Sequence, residues 1–353
     1  MINSYKSGSS RMTGLGLVEL MIAMALGLIT VAAVGWVYVN TSQTYRLQDG
    51  AARMQEGARY AFELISNDLR MLGSVGCGSG VSDTPANVLN NNGFWYLNLF
   101  DQPLISTEKD GAAGQVTQYS DALVVLRANT SSEYIVSAYN SATTQFTLNT
   151  AHNLTTGALL VATDCKHVAL FQASAASGTT VIHGVGGTPG NSTPFLANPP
   201  AAYPYGPGTR LYQLSSVRYY VAINPAGEPA LYRQRPVGAT ATIATEELVE
   251  GIEDLQVSYG VDTTPTPDGS ADAVGPDGYM TGAQVSADGG LGATPSDRWK
   301  RVVSARISFL MRSPDDNIVP APQTYRYNGA SVTATDRRLR KVFTHVVKLR
   351  NRV

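Results

Sequence analysis

Apolar positions along the chain fall into three regimes. Over residues 15–39 they are continuous: Glu19 is the one charged residue, and all else is apolar, small or weakly polar. About 25 residues at a rise of 1.5 Å span roughly 37 Å, more than the ~30 Å hydrocarbon core of a bilayer. A helix suits such a segment, because it pairs its own backbone groups in lipid. Over residues 47–72 the apolar positions become periodic. Leu47, Ala51, Met54, Ala58, Ala61, Ile65, Leu69 and Leu72 recur at steps of three and four. Arg46, Asp49, Arg53, Glu56, Arg59, Glu63 and Asp68 lie mostly off that stripe, which predicts an amphipathic helix. The two segments join into one helix from Leu15 to about Leu72, roughly 85 Å long. Gly50 and Gly57 each weaken it by ~1 kcal/mol, and Gly73 and Gly76 end it.

In the third regime the period falls to two. Residues 77–117 read as loop, with an apolar patch at Phe94, Trp95, Tyr96 and Leu97 expected to plug the core rather than bind a partner. Residues 122–126, 133–138 and 145–148 read as strands, as do 157–162 and 167–172 on either side of Cys165. Residues 174–208, rich in Gly, Pro, Ser and Thr, read as a flexible surface excursion. Val217, Tyr219, Val221 and Ile223 alternate, Asn224-Pro225-Ala226-Gly227 turns, and residues 230–233 return as a hairpin. The acidic stretch 246–254 reads as one helical turn before a strand carrying Leu255, Val257, Tyr259 and Val261. After a loop over 263–297, Val303, Ala305, Ile307, Phe309 and Met311 share one strand face. Phe343, His345, Val347 and Leu349 mark a last strand.

Composition narrows the class. The chain has 353 residues, 43% hydrophobic and 15% charged, with net charge −1. It is neither disordered nor basic enough to draw phosphate globally. Beyond the long helix roughly 280 residues remain, enough for one large domain or two small ones. Gly 34 and Pro 18, with many Ser, Thr and Asn, suggest β-structure with long loops. Cys77 and Cys165 are distant in sequence. In an oxidising compartment they can form one disulfide closing a loop of roughly 88 residues, which would stabilise by about 4–5 kcal/mol; otherwise they are two buried thiols. Neither has a second close ligand for a metal.

Glu19 is the residue the apolar segment must accommodate. A carboxylate there costs several kcal/mol unless paired or near the interface, so it is a functional candidate. No Lys or Arg lies within residues 15–39. Cleavage after Gly14 would leave a positive amine on Leu15, better placed for the Glu19 of a neighbouring, staggered helix than for its own. A secretory signal would carry its cut site after the apolar run; Ala32-Ala33 could serve, but the run continues apolar beyond them. Gly14, Leu15, Glu19, Leu20 and Met21, behind a short leader with Lys6 and Arg11, resemble the class III signal of type IV prepilins. Leu15 stands where Phe or another apolar residue is usual and Gly16 where Thr or Ser is common.

The resemblance extends to the C-terminal part. Leu231-Tyr232-Arg233, the run from Leu248 through Gly251-Ile252-Glu253-Asp254 to Asp262, Trp299 with Val302-Val303-Ser304-Ala305-Arg306-Ile307, and the closing Arg338-Leu339-Arg340-Lys341-Val342-Phe343 look like PilW-type minor pilins. Residues 80–215 carry no such motif. The resemblance implies an α+β fold: a long pilin-type α-helix packed on a β-rich globular periplasmic domain. It implies a leader over 1–14, a membrane and pilus-core half-helix over 15–39, an amphipathic half over 40–72, and a domain over 73–353. It further implies cleavage between Gly14 and Leu15 by a prepilin peptidase, N-methylation of Leu15, and a non-enzymatic role without cofactors. Its implied partners are other minor pilins, the major pilin, a pilus tip adhesin and an inner-membrane assembly platform; no nucleic acid is required. The alternatives are a J-type pseudopilin of type II secretion and a membrane-anchored periplasmic binding protein.

Other chemistry is sparse. His152, His167, His183 and His345 are scattered and read as surface or hydrogen-bonded core residues. No nucleophile elbow or dinucleotide fingerprint appears. Asp262, Asp268, Asp272 and Asp277 offer oxygen ligands for calcium, but without EF-hand spacing they read as a solvated loop. The basic tail Arg337, Arg338, Arg340 and Lys341 reads as an exposed, charged strand face, with DNA or anionic lipid as the alternative.

Overall fold

The computed structural model describes residues 16–77, 85–90, 97, 99–100, 104–107, 120–237, 242–264, 271–272 and 278–349. A single long N-terminal helix precedes a large β-rich domain, an α+β arrangement. In chain order the elements are α1 (Leu17–Arg70), β1 (Ala86–Asn87), β2 (Leu104–Thr107), β3 (Ala122–Asn140), β4 (Gln145–Leu148), β5 (Leu159–Thr163), β6 (Val168–Gln172), β7 (Ala175–Ser177), β8 (Thr180–Ile182), β9 (Arg210–Ile223), β10 (Pro229–Val237), β11 (Thr242–Glu250), β12 (Ile252–Val261), α2 (Gly282–Ala287), α3 (Pro295–Trp299), β13 (Val302–Arg312), β14 (Thr324–Tyr327), β15 (Ala330–Thr333) and β16 (Arg340–Lys348). A large sheet runs β1-β6-β5-β9-β3-β4-β8-β7, with β10 on β9, β11 on β10 and β2 on β3. A second sheet has the order β12-β13-β16, and β14 and β15 form a separate hairpin.

The 54 residues of α1 make it about 81 Å long. Its second half is gripped by β11, β13 and β16. The stripe of apolar residues explains why: Met54, Ala58, Ala61, Ile65 and Leu69 are buried in one core with Tyr219 and Leu231 of the large sheet and Leu255, Ile307 and Phe309 of the small one. Each large apolar side chain so buried contributes roughly 1.5–3 kcal/mol. Gly50 and Gly57 sit on this face, and the helix approaches the domain closely there. A Cβ at Gly57 would meet Val249 Cγ1 at 2.9 Å. These glycines are contact points rather than simple weak spots in the helix.

A second core lies around β4, β5, β6 and β8, with Phe146, Phe171 and Tyr205 at its centre. A third gathers Leu97, Leu99, Leu126 and Leu170. Leu97 thus plugs a core, as the patch suggested; Phe94, Trp95 and Tyr96 lie outside the described residues. Cys77 and Cys165 are bridged, with Cα atoms 5.5 Å apart. The bond ties the chain just beyond α1 to the β5–β6 turn.

Several sequence expectations are corrected. Residues 77–117 are not all loop, since β1 and β2 lie within them. The strands expected over 122–126 and 133–138 are one strand, β3, with a register shift between Asn129 and Glu133. The acidic stretch 246–254 forms no helical turn: it is the end of β11, the turn at Gly251 (φ +85°) and the start of β12. Residues 174–208 are not a free excursion. They carry β7 and β8, and buried Asn191 fastens them: its Nδ2 donates to Gln172 O (2.7 Å) and Gly184 O (2.9 Å), while its Oδ1 accepts from Gln172 N–H (2.7 Å). The loop over 263–297 includes α2, closed by a Thr281–Gln284 capping box, and α3.

Candidate assembly interface

The first half of α1 stands apart from the domain. Every residue from 16 to 41 is exposed, including Leu17, Met21, Ile29, Val34 and Trp36. Among the described residues α1 is the one helix long and apolar enough to cross a membrane. Apolar surface of this extent in water is unfavourable, so the segment calls for lipid or other apolar helices. Trp36 and Tyr38 sit at its domain-proximal end, where amphipathic rings favour a headgroup boundary. Asn40, Thr41, Ser42 and Gln43 then mark the return to a polar surface.

Glu19 lies in the first turn of α1, where a carboxylate faces the positive end of the helix dipole. The nearest basic residue further along α1 is Arg46, about 40 Å away at 1.5 Å per residue. Gly14 and Leu15 lie outside the described residues, so the pairing of Glu19 with a Leu15 amine has no geometry here.

The other end of α1 is locked. The Tyr219 hydroxyl donates to Asp68 Oδ2 at 2.6 Å, and Arg127 Nη2 lies 3.4 Å from Asp68 Oδ1. Burial beside this carboxylate pushes the Tyr219 phenol well above its ordinary range. The backbone leaves the helix through Gly73 (φ +66°), whose N–H donates to Leu126 O. These contacts fix the direction in which the apolar half projects. Sequence reasoning missed Asp68, because its partners are 59 and 151 residues away.

The basic tail is internal in part. Arg340 is buried and its Nη2 donates to Glu253 Oε1 at 2.8 Å; it also pairs with Asp336. Hydrogen bonding from Arg340 holds the Asp336 carboxyl down at about 2. Arg338 reaches Glu228 at 3.1 Å, and Arg312 bridges Glu228 (2.5 Å) and Glu253 (3.3 Å). The expected charged strand face is therefore an ion-pair network joining β12, β13, β16 and the β9–β10 turn. Desolvated pairs of this kind fix geometry more than they add stability.

The remaining candidates are dispersed. Asp262 Oδ1 accepts from Thr264, and Asp272 Oδ2 from Thr263. Asp268 and Asp277 lie outside the described residues, and among the described residues no group of three or more His, Cys, Asp or Glu could hold a metal. His183 is buried with its Nε2 3.1 Å from the Tyr139 hydroxyl, and burial pushes it down to about 4. His152 contacts Thr180 O, His167 lies against the Tyr203 ring, and exposed His345 stands near Phe62.

Residues 218–351 match the family model of type IV pilus-assembly protein W. The match supports a type IV pilus-related protein involved in pilus assembly, in contact with other pilus components. No curated protein and no solved structure matches the chain. The three strands that grip α1 all fall inside the matched region.

Proposed function

We propose that the chain is a non-enzymatic minor pilin of a type IV pilus. Before assembly α1 holds it in the inner membrane with the β-rich domain in the periplasm. Cleavage between Gly14 and Leu15 by a prepilin peptidase, then N-methylation of Leu15, readies the helix. During assembly the apolar half of α1 moves from lipid into a bundle of like helices. Both surroundings are apolar, so the net hydrophobic change is modest and extraction is feasible. The subunit joins other minor pilins and a tip adhesin in a complex that primes polymerisation of the major pilin, with the consequences for adhesion and twitching motility that follow.

The observation supporting this reading is one continuous helix: exposed and apolar over residues 16–39, then locked from Gly50 onward into strands of the pilus-assembly region. The large β-rich domain suits a tip position better than a repeating one. Mass spectrometry of the N-terminal peptide from a membrane fraction tests the reading. A peptide beginning at methylated Leu15 is expected. An intact Met1 terminus, in cells with active prepilin peptidase, leaves a plain membrane anchor and removes the pilin assignment. Co-isolation with secretion-system rather than pilus components would move the chain to the J-type pseudopilins.

A further inference from the structure

The small sheet ends on β16, and among the described residues no further strand pairs with its outer edge. Leu349 N–H donates to Val303 O, so residues 343, 345 and 347 bond inward to β13. Arg340 and the even positions after it therefore turn their backbone groups outward. Gln323 shows this directly: its side chain donates to Arg340 O (2.9 Å) and accepts from Arg340 N–H (2.8 Å), imitating a paired strand. Beyond that point, among the described residues, no hydrogen bond reaches the outward backbone groups of Val342, Thr344, Val346 and Lys348. The stretch from Val342 to Val347 is uncharged, without Pro, and pairs with β13 without a register shift. Edges are ordinarily guarded by charge, Pro or a bulge. Here the guards are Lys341 and Lys348, one at each end.

Beneath the outer side of β16 runs α1. Phe62 stacks on Phe309 at 4.7 Å and lies 5.3 Å from the His345 ring. Next to them an open groove of about 550 Å³ separates helix from strand, lined by Arg59, Phe62 and Glu63 on one side and Phe343 and His345 on the other. A fourth strand would take up the outward backbone groups of β16 and lay alternate side chains over Phe62 and Phe343.

We propose that this edge and groove receive an extended segment of another pilus subunit, apolar in alternation and acidic at its ends. The charges choose the occupant: Arg59, Lys341 and Lys348 outnumber Glu63 along the site. A second copy using the same edge is disfavoured by register. Two-fold antiparallel pairing sets outward positions against outward ones, so full overlap would need Lys348 opposite Arg340, whose outward backbone groups Gln323 already holds. The contact adds to the helix-mediated assembly; its occupant rests on the pilus reading above, while the open edge does not.

The test uses the full chain in detergent micelles and a capped probe peptide, Glu-Val-Thr-Val-Thr-Val-Thr-Glu, whose two ends fall on opposite faces as Lys348 and Lys341 do, with a Lys-ended counterpart. Amide hydrogen exchange should show Val342, Thr344, Val346 and Lys348 exchanging freely alone and slowed about ten-fold by the acidic peptide. The Lys-ended peptide should bind several-fold more weakly, by roughly the effect of opposed charges. Thr344→Pro removes an outward N–H and no ladder bond, so it should weaken peptide binding about ten-fold. The double change Lys341→Glu with Lys348→Glu touches exposed side chains and should reverse the preference between peptides, which decides the matter even where the proline variant folds poorly. Equal binding of both peptides, or amides already protected in dilute chain, overturns the proposal. Protection that grows with chain concentration in the absence of peptide assigns the edge to a second copy and overturns it equally.

Discussion

The Tyr219 hydroxyl donates to Asp68 Oδ2 at 2.6 Å, joining the last turn of α1 to the middle of the large sheet. Both side chains are buried, and Arg127, at 3.4 Å, is the more distant partner of the same carboxylate. Deleting one partner of a buried charge leaves the other poorly solvated, which costs about 1–3 kcal/mol. Tyr219→Phe keeps the ring and removes only the hydroxyl. It should lower the thermal midpoint by several degrees, read by circular dichroism. An unchanged midpoint would show that Arg127 alone satisfies Asp68.

Gly57 and Gly50 should respond oppositely to alanine. In an exposed helix Gly→Ala stabilises by ~1 kcal/mol. At Gly57 the new Cβ meets Val249 Cγ1 at 2.9 Å and Met311 Cε at 3.3 Å, so strain should exceed that gain and leave Gly57→Ala less stable by about 1 kcal/mol. At Gly50 the nearest atoms are 3.4 Å away, and Gly50→Ala should be neutral or slightly stabilising. Denaturant midpoints of the two variants check this; equal shifts would mean that contact with Val249 and Met311 does not restrict position 57.

What was legible follows from the range of each interaction. The stripe from Met54 to Leu69 is local and periodic, so both the helix and its buried face could be read directly. The reason for Gly57 could not, because it lies in a side chain almost 200 positions further on. The stretch 246–254 misled because β11 is an edge strand with Thr245, Glu246 and Glu247 all exposed, which erases the alternation that marks a strand. Only Gly251, with φ +85° and room for a Cβ denied by Arg312 O at 2.8 Å, betrays the turn. Arg338 and Arg340 looked like a solvated tail because Glu228 and Glu253 are 110 and 87 residues away. Glu19 needed no fold to be noticed: one carboxylate in an uncharged run is visible in the sequence itself.

Buried His183 and half-buried Asp254 should give the stability opposite slopes with pH. His183 is pushed down to about 4 by burial, against an ordinary value near 6.5. The unfolded chain then binds the extra proton first, so this contribution is complete above pH ~6.5 and is lost as pH falls toward 4. Asp254 is pushed up to about 6 by burial, so the folded chain holds its proton longer, and stability is lost as pH rises from ~3.8 to 6. His183→Gln should flatten the loss on acidification. Asp254→Asn should stabilise by about 1–3 kcal/mol at pH 7 and by nothing at pH 4. Melting curves at half-unit pH steps separate the two; a gain for Asp254→Asn that persists at pH 4 would assign it to packing instead of charge.

Glu19 should act in assembly and not in insertion. Its apolar surroundings supply no cation within the first half of α1, and Arg46 is about 40 Å along the helix, so a partner has to come from outside that segment. In the proposed assembly the freed Leu15 amine of a neighbouring subunit, at ~4 Å and an effective dielectric of ~20, would attract it by about 4 kcal/mol before desolvation, which offsets much of that. In that proposed bundle the remainder would set register between helices that otherwise slide on apolar surfaces. Removing the carboxylate makes the segment more apolar, so Glu19→Ala should enter the membrane as well as the parent chain. Its share in sheared pili, measured by immunoblot against the membrane pool, should fall about ten-fold, the factor that 1.4 kcal/mol of lost pairing would produce. Glu19→Gln should behave like Glu19→Ala, since it keeps the shape and loses the charge. Parent-level incorporation of Glu19→Gln would show that register is set by side-chain shape or hydrogen bonding, and the ion pair would no longer be needed to explain it.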